Sequence, residues 1–141
     1  MTNKVAKRLS ANDVGTTGGH QAGILVPKER EILTFFPSFE SGTKNPRMRL
    51  VVRELQDGTQ WNFNFIYYNN RLFGGTRNEY RLTCMTKYLR AIGAKEGDEL
   101  MFSKDENGSI FVERIRLAHD QAAVNEEGVL ILKSGWKIIN R

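Results

Sequence analysis

The stretch from residue 48 to residue 68 admits few folds. MRLVVREL at 48–55 alternates charged with apolar residues, TQWNFNFIYY at 59–68 alternates again, and Asp57-Gly58 stands between them. Successive side chains of a strand point to opposite faces, so a period of two marks a strand with one buried face, and an Asp-Gly pair supplies the backbone freedom of a tight turn. The spacing predicts an antiparallel hairpin with Trp61, Phe63 and Phe65 on its inner face and Asn62 and Asn64 on its outer one. The three aromatics read as core, because an RNA-recognition sheet places exposed aromatics on adjacent central strands instead.

The rest of the chain reads mostly as strands. Val5–Leu9 and Ile24–Val26 flank a Gly/Thr loop, and Pro27 opens a short helix with Glu29 and Glu31 in its first turn. Ile32, Leu33, Phe35 and Phe36 give that helix its buried side before Pro37 stops it, and 38–46 is loop. After an Asn69-Asn70 turn, TKYLRAIG at 86–93 reads as a second helix capped by Thr86 and ended by Gly93. A hairpin at 97–117 turns around Asp105-Glu106-Asn107-Gly108, and Val129–Leu132 with Trp136–Ile139 forms a last pair. The count is roughly seven strands and two short helices, with no repeat and no crossover helix of ordinary length, which favours an open or partly closed β-barrel over a parallel sheet.

A chain of 141 residues is the size of one domain, expected to span 1–141. No apolar run approaches the ~20 residues that cross a bilayer, and MTNKVAKRLSAND has no apolar stretch of a secretory signal, so a soluble, cytoplasmic protein is expected. Cys84 is the single cysteine, which excludes an internal disulfide and leaves a zinc site only one Cys and two distant His. The net charge of +5 is unevenly spread. Residues 1–93 carry 14 Lys and Arg against 7 acids, whereas 94–141 carry 7 against 9. Arg71, Arg77, Arg81, Lys87 and Arg90 form one basic group, and Lys44, Arg47, Arg49 and Arg53 a second; such groups are either solvated faces or phosphate footprints.

The basic half also holds two stretches that pair permissive glycines with hydrogen-bonding side chains, GTTGGHQAG at 15–23 and FGGTRNEYR at 73–81. His20, Gln21, Arg77, Asn78, Glu79 and Arg81 are the residue types that read polar base edges. Each has an ordinary alternative: His20 could bond a backbone carbonyl, and Arg77 and Glu79 could pair in solvent. Catalytic patterns are sparse. None of the nine lysines has Asp or Glu two residues before it, the spacing common in metal-dependent nucleases, and neither histidine has Lys two residues after it. A nucleophile elbow and a phosphate loop are both missing. A triad assembled in space stays open, and with it the alternative of a small nuclease or RNA-processing enzyme with an unrecognised site.

KRLSANDVGTTGGHQAGILVP at 7–27 and IYYNNRLFGGTRNEYRLT at 66–83 resemble, in the same order, the N-terminal effector domain of EcoRII-type restriction endonucleases. The resemblance implies a mainly β (α+β), open seven-stranded pseudobarrel with two short helices, of the kind also found in plant B-three-type transcription factors. It implies sequence-specific binding of double-stranded DNA through two arms in the major groove, without catalysis by this domain and without a cofactor; Mg²⁺ is expected only for a nuclease domain attached in the same polypeptide. With 141 residues the chain has no room for that nuclease, so an excised recognition domain or a stand-alone bacterial binder is expected. At matching positions Gly18, Gly19, His20 and Gln21 fall in the first arm, and Thr76, Arg77, Asn78, Glu79 and Arg81 in the second. Arg and Glu together favour a G·C-rich target, since arginine bonds guanine N7 and O6 and a carboxylate accepts from cytosine N4. Lys7, Arg8, Thr17 and Arg71 are the choices for phosphate contacts. The family pattern has lysines where this chain has Gly75 and Tyr80, and a tyrosine where it has Leu25, so a CC(A/T)GG-like site is expected only in outline.

Overall fold

In the computed structural model the alternation over 48–68 becomes a long hairpin. The structure describes residues 3–15, 23–40, 42–116, 129–131 and 135–139. Its strands are β1 (Lys4–Arg8), β2 (Ile24–Val26), β3 (Arg47–Glu54), β4 (Gln60–Tyr68), β5 (Glu79–Thr83), β6 (Glu99–Lys104), β7 (Ile110–Ile115), β8 (Val129–Ile131) and β9 (Trp136–Ile139). Two short helices, α1 (Arg30–Leu33) and α2 (Thr86–Ala91), and a 3-10 turn over Asn70–Phe73 complete the elements. In the β3–β4 turn Gly58 has φ +75°, a left-handed value open to glycine, and the Asp57 carboxylate accepts from the Thr59 amide at 2.9 Å.

All nine strands among the described residues join one sheet in the order β2-β5-β4-β3-β7-β6-β1-β9-β8. Every pairing is antiparallel except β3 with β7. The expected count of roughly seven is therefore too low: the stretches read as strands number eight, and the structure adds one. The strand that patterning overlooks is β5, whose residues EYRLT do alternate polar with apolar, but over only five positions that overlap the end of the second arm. Helix α2 also begins differently from expectation: Met85 occupies the N-cap position with no side-chain cap bond, while Gly93, at φ +64°, ends the segment as expected.

The sheet curls because its far ends are tied together. Trp136 of β9 donates its indole N–H to the Leu25 carbonyl of β2 at 2.8 Å, joining an edge strand to the last strand but one at the other side. Phe36 fills the space between, 5.1 Å from Phe65 of β4, 6.2 Å from Phe102 of β6 and 5.9 Å from Trp136 between ring centroids. Ile32, Phe35 and Phe36 are buried as expected, whereas Leu33 is only partly buried, and the helix ends at Leu33, before the two phenylalanines. The result is an open pseudobarrel, mainly β with two short helices, whose inner face is apolar and whose β2–β5–β4–β3 outer face is mostly polar and charged, with Leu25, Val51 and Ile66 among its side chains.

Candidate nucleic-acid interface

The two polar stretches leave the sheet at opposite ends of β5. The second runs from Tyr68, the last residue of β4, through the 3-10 turn to Glu79, the first residue of β5. The first rejoins the sheet at Gly23, next to Ile24, which pairs with Leu82 near the other end of β5. Gly23 has φ +89°, and a Cβ there would fall 2.2 Å from the Leu82 carbonyl oxygen. Only glycine fits where this arm meets β5.

The second arm is internally braced. The Arg71 amide donates to the Arg77 carbonyl at 2.9 Å and the Gly75 amide to the Asn70 carbonyl at 2.8 Å. At its base Asn69 is buried: its side-chain amide donates to the Thr43 carbonyl at 2.8 Å, and its side-chain oxygen accepts from the Asn45 amide at 2.6 Å. Arg71 and Thr76 stand exposed on the loop beside exposed Leu72 and Phe73. Gly75 is tight, since a Cβ would lie 2.9 Å from the Asn70 Cβ.

Beyond the loop the charged side chains form a linked group. The Glu79 carboxylate bonds the Arg81 guanidinium and lies 3.6 Å from that of Arg77. Arg81 also donates to the Gly23 carbonyl at 3.0 Å, connecting the roots of the two arms. Arg77 lies over the Tyr68 ring, 3.7 Å from its centroid, a cation–π contact that holds the guanidinium in place. Tyr67 donates its hydroxyl to the Asn78 side-chain oxygen at 2.7 Å and stacks on Tyr80 at 4.2 Å. Patterning missed Tyr67 and Tyr68, whose only signal is that they end a strand at the mouth of the arm.

Strand parity sorts the expected residues. Glu79, Arg81 and Leu25 share the outer face, with Leu25 opposite Arg81 in the β2–β5 register. Tyr80 points the other way and packs against the core beside Phe65, 5.7 Å between centroids. Burial pushes the Tyr80 hydroxyl above its ordinary pKa, helped by Tyr67. Arg8 is exposed at the end of β1, where its amide donates to the Gly135 carbonyl at 2.9 Å. Lys7 is not a surface cation: it is 6% exposed, pairs with buried Asp13 at 3.2 Å and donates to the Arg8 carbonyl at 2.9 Å. Asp13 and Ser10 exchange amide-to-side-chain bonds at 3.0 and 3.1 Å, so this pair secures the start of the first arm. Thr17, Gly18, Gly19, His20 and Gln21 lie outside the described residues.

Between the arm roots lies a cleft of about 470 Å³, with Arg47, Asn64, Tyr68, Arg77, Thr83 and Asp13 among its walls. Ile66 is buried at its floor on a face that alternation assigns to solvent. Among the described residues no group of three His, Cys, Asp or Glu side chains could hold a metal ion, and no helix is long and apolar enough to cross a membrane.

Burial acts to raise the Glu79 pKa, but hydrogen bonding and charge from Arg81, with further help from Arg77, outweigh it and hold the carboxyl below its ordinary 4.5. A depressed carboxylate contributes stability that is complete above its unfolded-state value and is lost as pH falls through the folded one. The stability difference between the wild type and Glu79→Gln is therefore expected to be constant near neutrality and to shrink only in acid, below about pH 4.5. Urea unfolding at a series of pH values checks this; a difference that shrinks between pH 7 and 5 contradicts it.

A family model described as the N-terminal domain of the restriction endonuclease EcoRII matches residues 2–122. The type II restriction enzyme EcoRII of Escherichia coli is 44% identical over 79 residues, covering 55% of this chain and 19% of that enzyme. Auxin response factor 5 of Arabidopsis thaliana is 31% identical over 118 residues, 84% of this chain and 12% of that protein. The chain thus spans a fifth or less of either relative. The Arabidopsis FUS3–DNA complex superposes with a TM-score of 0.63 at 19% identity, covering 80% of this chain and 96% of that one. The B3 domain of the UbaLAI restriction endonuclease with cognate DNA gives 0.56, also at 19% identity, covering 89% and 82%. At that identity the likeness is one of fold, and the pseudobarrel is a B3 fold.

Proposed function

The chain belongs to the family of EcoRII restriction endonuclease N-terminal domains, and from that premise we propose that it binds double-stranded DNA in a sequence-specific manner. Its two arms enter one major groove from either side. The observation that carries this reading is that the roots of the two arms, at Gly23 and at Glu79, lie toward opposite ends of β5. The four steps from Glu79 to Thr83 span about 13 Å at ~3.3 Å per residue, close to the ~12 Å width of the major groove. Between those roots the outer face offers Arg77, Glu79 and Arg81, held by one another, by the Tyr68 ring and by the Gly23 carbonyl. Side chains fixed before binding lose little freedom on reading a base edge. The FUS3 and UbaLAI domains were both captured with DNA, which supports a nucleic-acid role for the shared fold.

In this reading Arg77 and Arg81 read guanine, Glu79 reads cytosine, and Asn78 with His20 and Gln21 completes the base contacts, while Arg8, Thr17 and Arg71 meet phosphates. Gly18 and Gly19 let the first arm approach closely, and Thr76 and Gly75 shape the second. The target is a short G·C-rich site resembling CC(A/T)GG. The domain is the non-catalytic recognition or effector module of a bacterial, cytoplasmic restriction endonuclease. A nuclease domain in the same polypeptide supplies the Mg²⁺-dependent cleavage.

Selection from randomised duplexes at physiological salt is expected to enrich one short G·C-rich motif; a pool with no enriched motif overturns sequence specificity. Arg77→Ala is expected to relax the preference at one base pair by about 1–3 kcal/mol while the rest of the motif persists. A uniform loss for every duplex would instead make Arg77 a phosphate contact.

A further inference from the structure

The outer face that carries Arg81 does not end at β4. In the strand registers Arg81 stands opposite Ile66, and Ile66 opposite Arg47 of β3; one rung on, Thr83 stands opposite Asn64, and Asn64 opposite Arg49. Arg47 and Arg49 are exposed, and both lie on rungs between the two arm roots, about 10 Å from β5 at the ~4.8 Å spacing of neighbouring strands. Arg53, on the same face, lies four residues further along, beyond the Thr83 end of β5.

The charge on this face is predominantly positive. Across its β2, β5, β4 and β3 positions the single acid is Glu79, already engaged by Arg81 and Arg77. Arg47 and Arg49 stand opposite Ile66 and Asn64, so no acid across the strands neutralises either of them. A duplex that crosses the strands between the arms continues over β3 on these same rungs. We infer that Arg47 and Arg49 form a second binding surface, for the phosphate backbone of DNA flanking the recognised site. Arg47 also lines the cleft between the arms, so the surface is continuous with the base-reading one. The two arginines carry no sequence information; they lengthen the footprint and set the angle at which the duplex leaves the arms.

This rests on the DNA-binding reading, and the test separates the two. Affinity is measured across a salt series for the selected site and a scrambled one, each as a duplex trimmed to the site and as a duplex extended on both sides. The wild type is expected to bind the extended duplexes more tightly and with a steeper salt slope. Arg47→Gln/Arg49→Gln is expected to remove that advantage and lower the slope on the extended duplexes by about two units, leaving the preference for the site over the scrambled sequence unchanged. Arg53→Gln is expected to change none of these, and thermal melts confirm that all variants are folded. A double variant that keeps the advantage of extended DNA overturns the inference, as does an Arg53→Gln loss of the same size. Equal binding of site and scrambled DNA by the wild type overturns the base-reading proposal instead, while length and slope still report on Arg47 and Arg49.

Discussion

Trp136→Ala is expected to lower the unfolding free energy by about 3–5 kcal/mol, the range for deleting a large buried aromatic. Trp136 is fully buried, meets Phe102 at 6.2 Å and Phe36 at 5.9 Å between centroids, and donates to the Leu25 carbonyl at 2.8 Å. Its loss opens a cavity and leaves that carbonyl without its indole partner. Trp136→Phe keeps most of the ring contacts and drops the indole bond, so a loss of about 1 kcal/mol is expected. Chemical denaturation of both variants checks the ranking. The functional consequence is local. Among the described residues β2 has three residues and pairs with β5 alone, so the indole adds to that pairing and to the Arg81–Gly23 bond as a tether of the segment into which the first arm runs. Trp136→Phe is expected to speed amide exchange of Val26 before that of Phe63 or Phe65; uniform acceleration would show that the tether serves the whole sheet.

The hairpin was legible because every level of its sequence agrees. Alternation, an Asp-Gly turn and β-branched or aromatic inward residues all point to β3 and β4, and their ends fall within a residue of expectation. Strand β5 was not legible, because its alternation covers five residues with only Tyr80 and Leu82 turned inward, and what defines it as a strand is its pairing with β2 and β4, which lie far away in sequence. The parallel contact of β3 with β7 and the Trp136 bond join residues far apart in sequence, and local patterning carries no trace of such pairs.

The site divides along the same line. That Arg77, Glu79 and Arg81 belong together follows from their spacing in the chain, yet the resemblance and the residue types do not distinguish side chains on opposite faces. Strand parity does: it turns Glu79 and Arg81 outward and Tyr80 toward the core. Likewise the basic group of Lys44, Arg47, Arg49 and Arg53 is one cluster by composition, but register places Arg47 and Arg49 between the arms and Arg53 outside them.

Lys7→Met is expected to destabilise the domain by about 3 kcal/mol, since it removes the ammonium from a buried ion pair and leaves the carboxylate of Asp13 buried without it. Lys7 and Asp13 are 6% and 9% exposed, and a Cβ on Gly135 would already lie 3.0 Å from the Lys7 ammonium. Asp13→Asn in the Lys7→Met background removes the buried negative charge that has lost its ammonium and keeps a hydrogen-bonding side chain facing Ser10, so the double variant is expected to be more stable than Lys7→Met. The binding experiment then decides what Lys7 does. A phosphate contact lowers the salt slope by about one unit when removed. A strut beneath the first arm leaves the slope unchanged, and its removal weakens binding only by reducing the folded fraction or displacing the arm. Salt titration of Lys7→Met at a temperature where it is folded separates these: an unchanged slope fits the buried pair, and a fall of one unit would bring Lys7 out to the DNA.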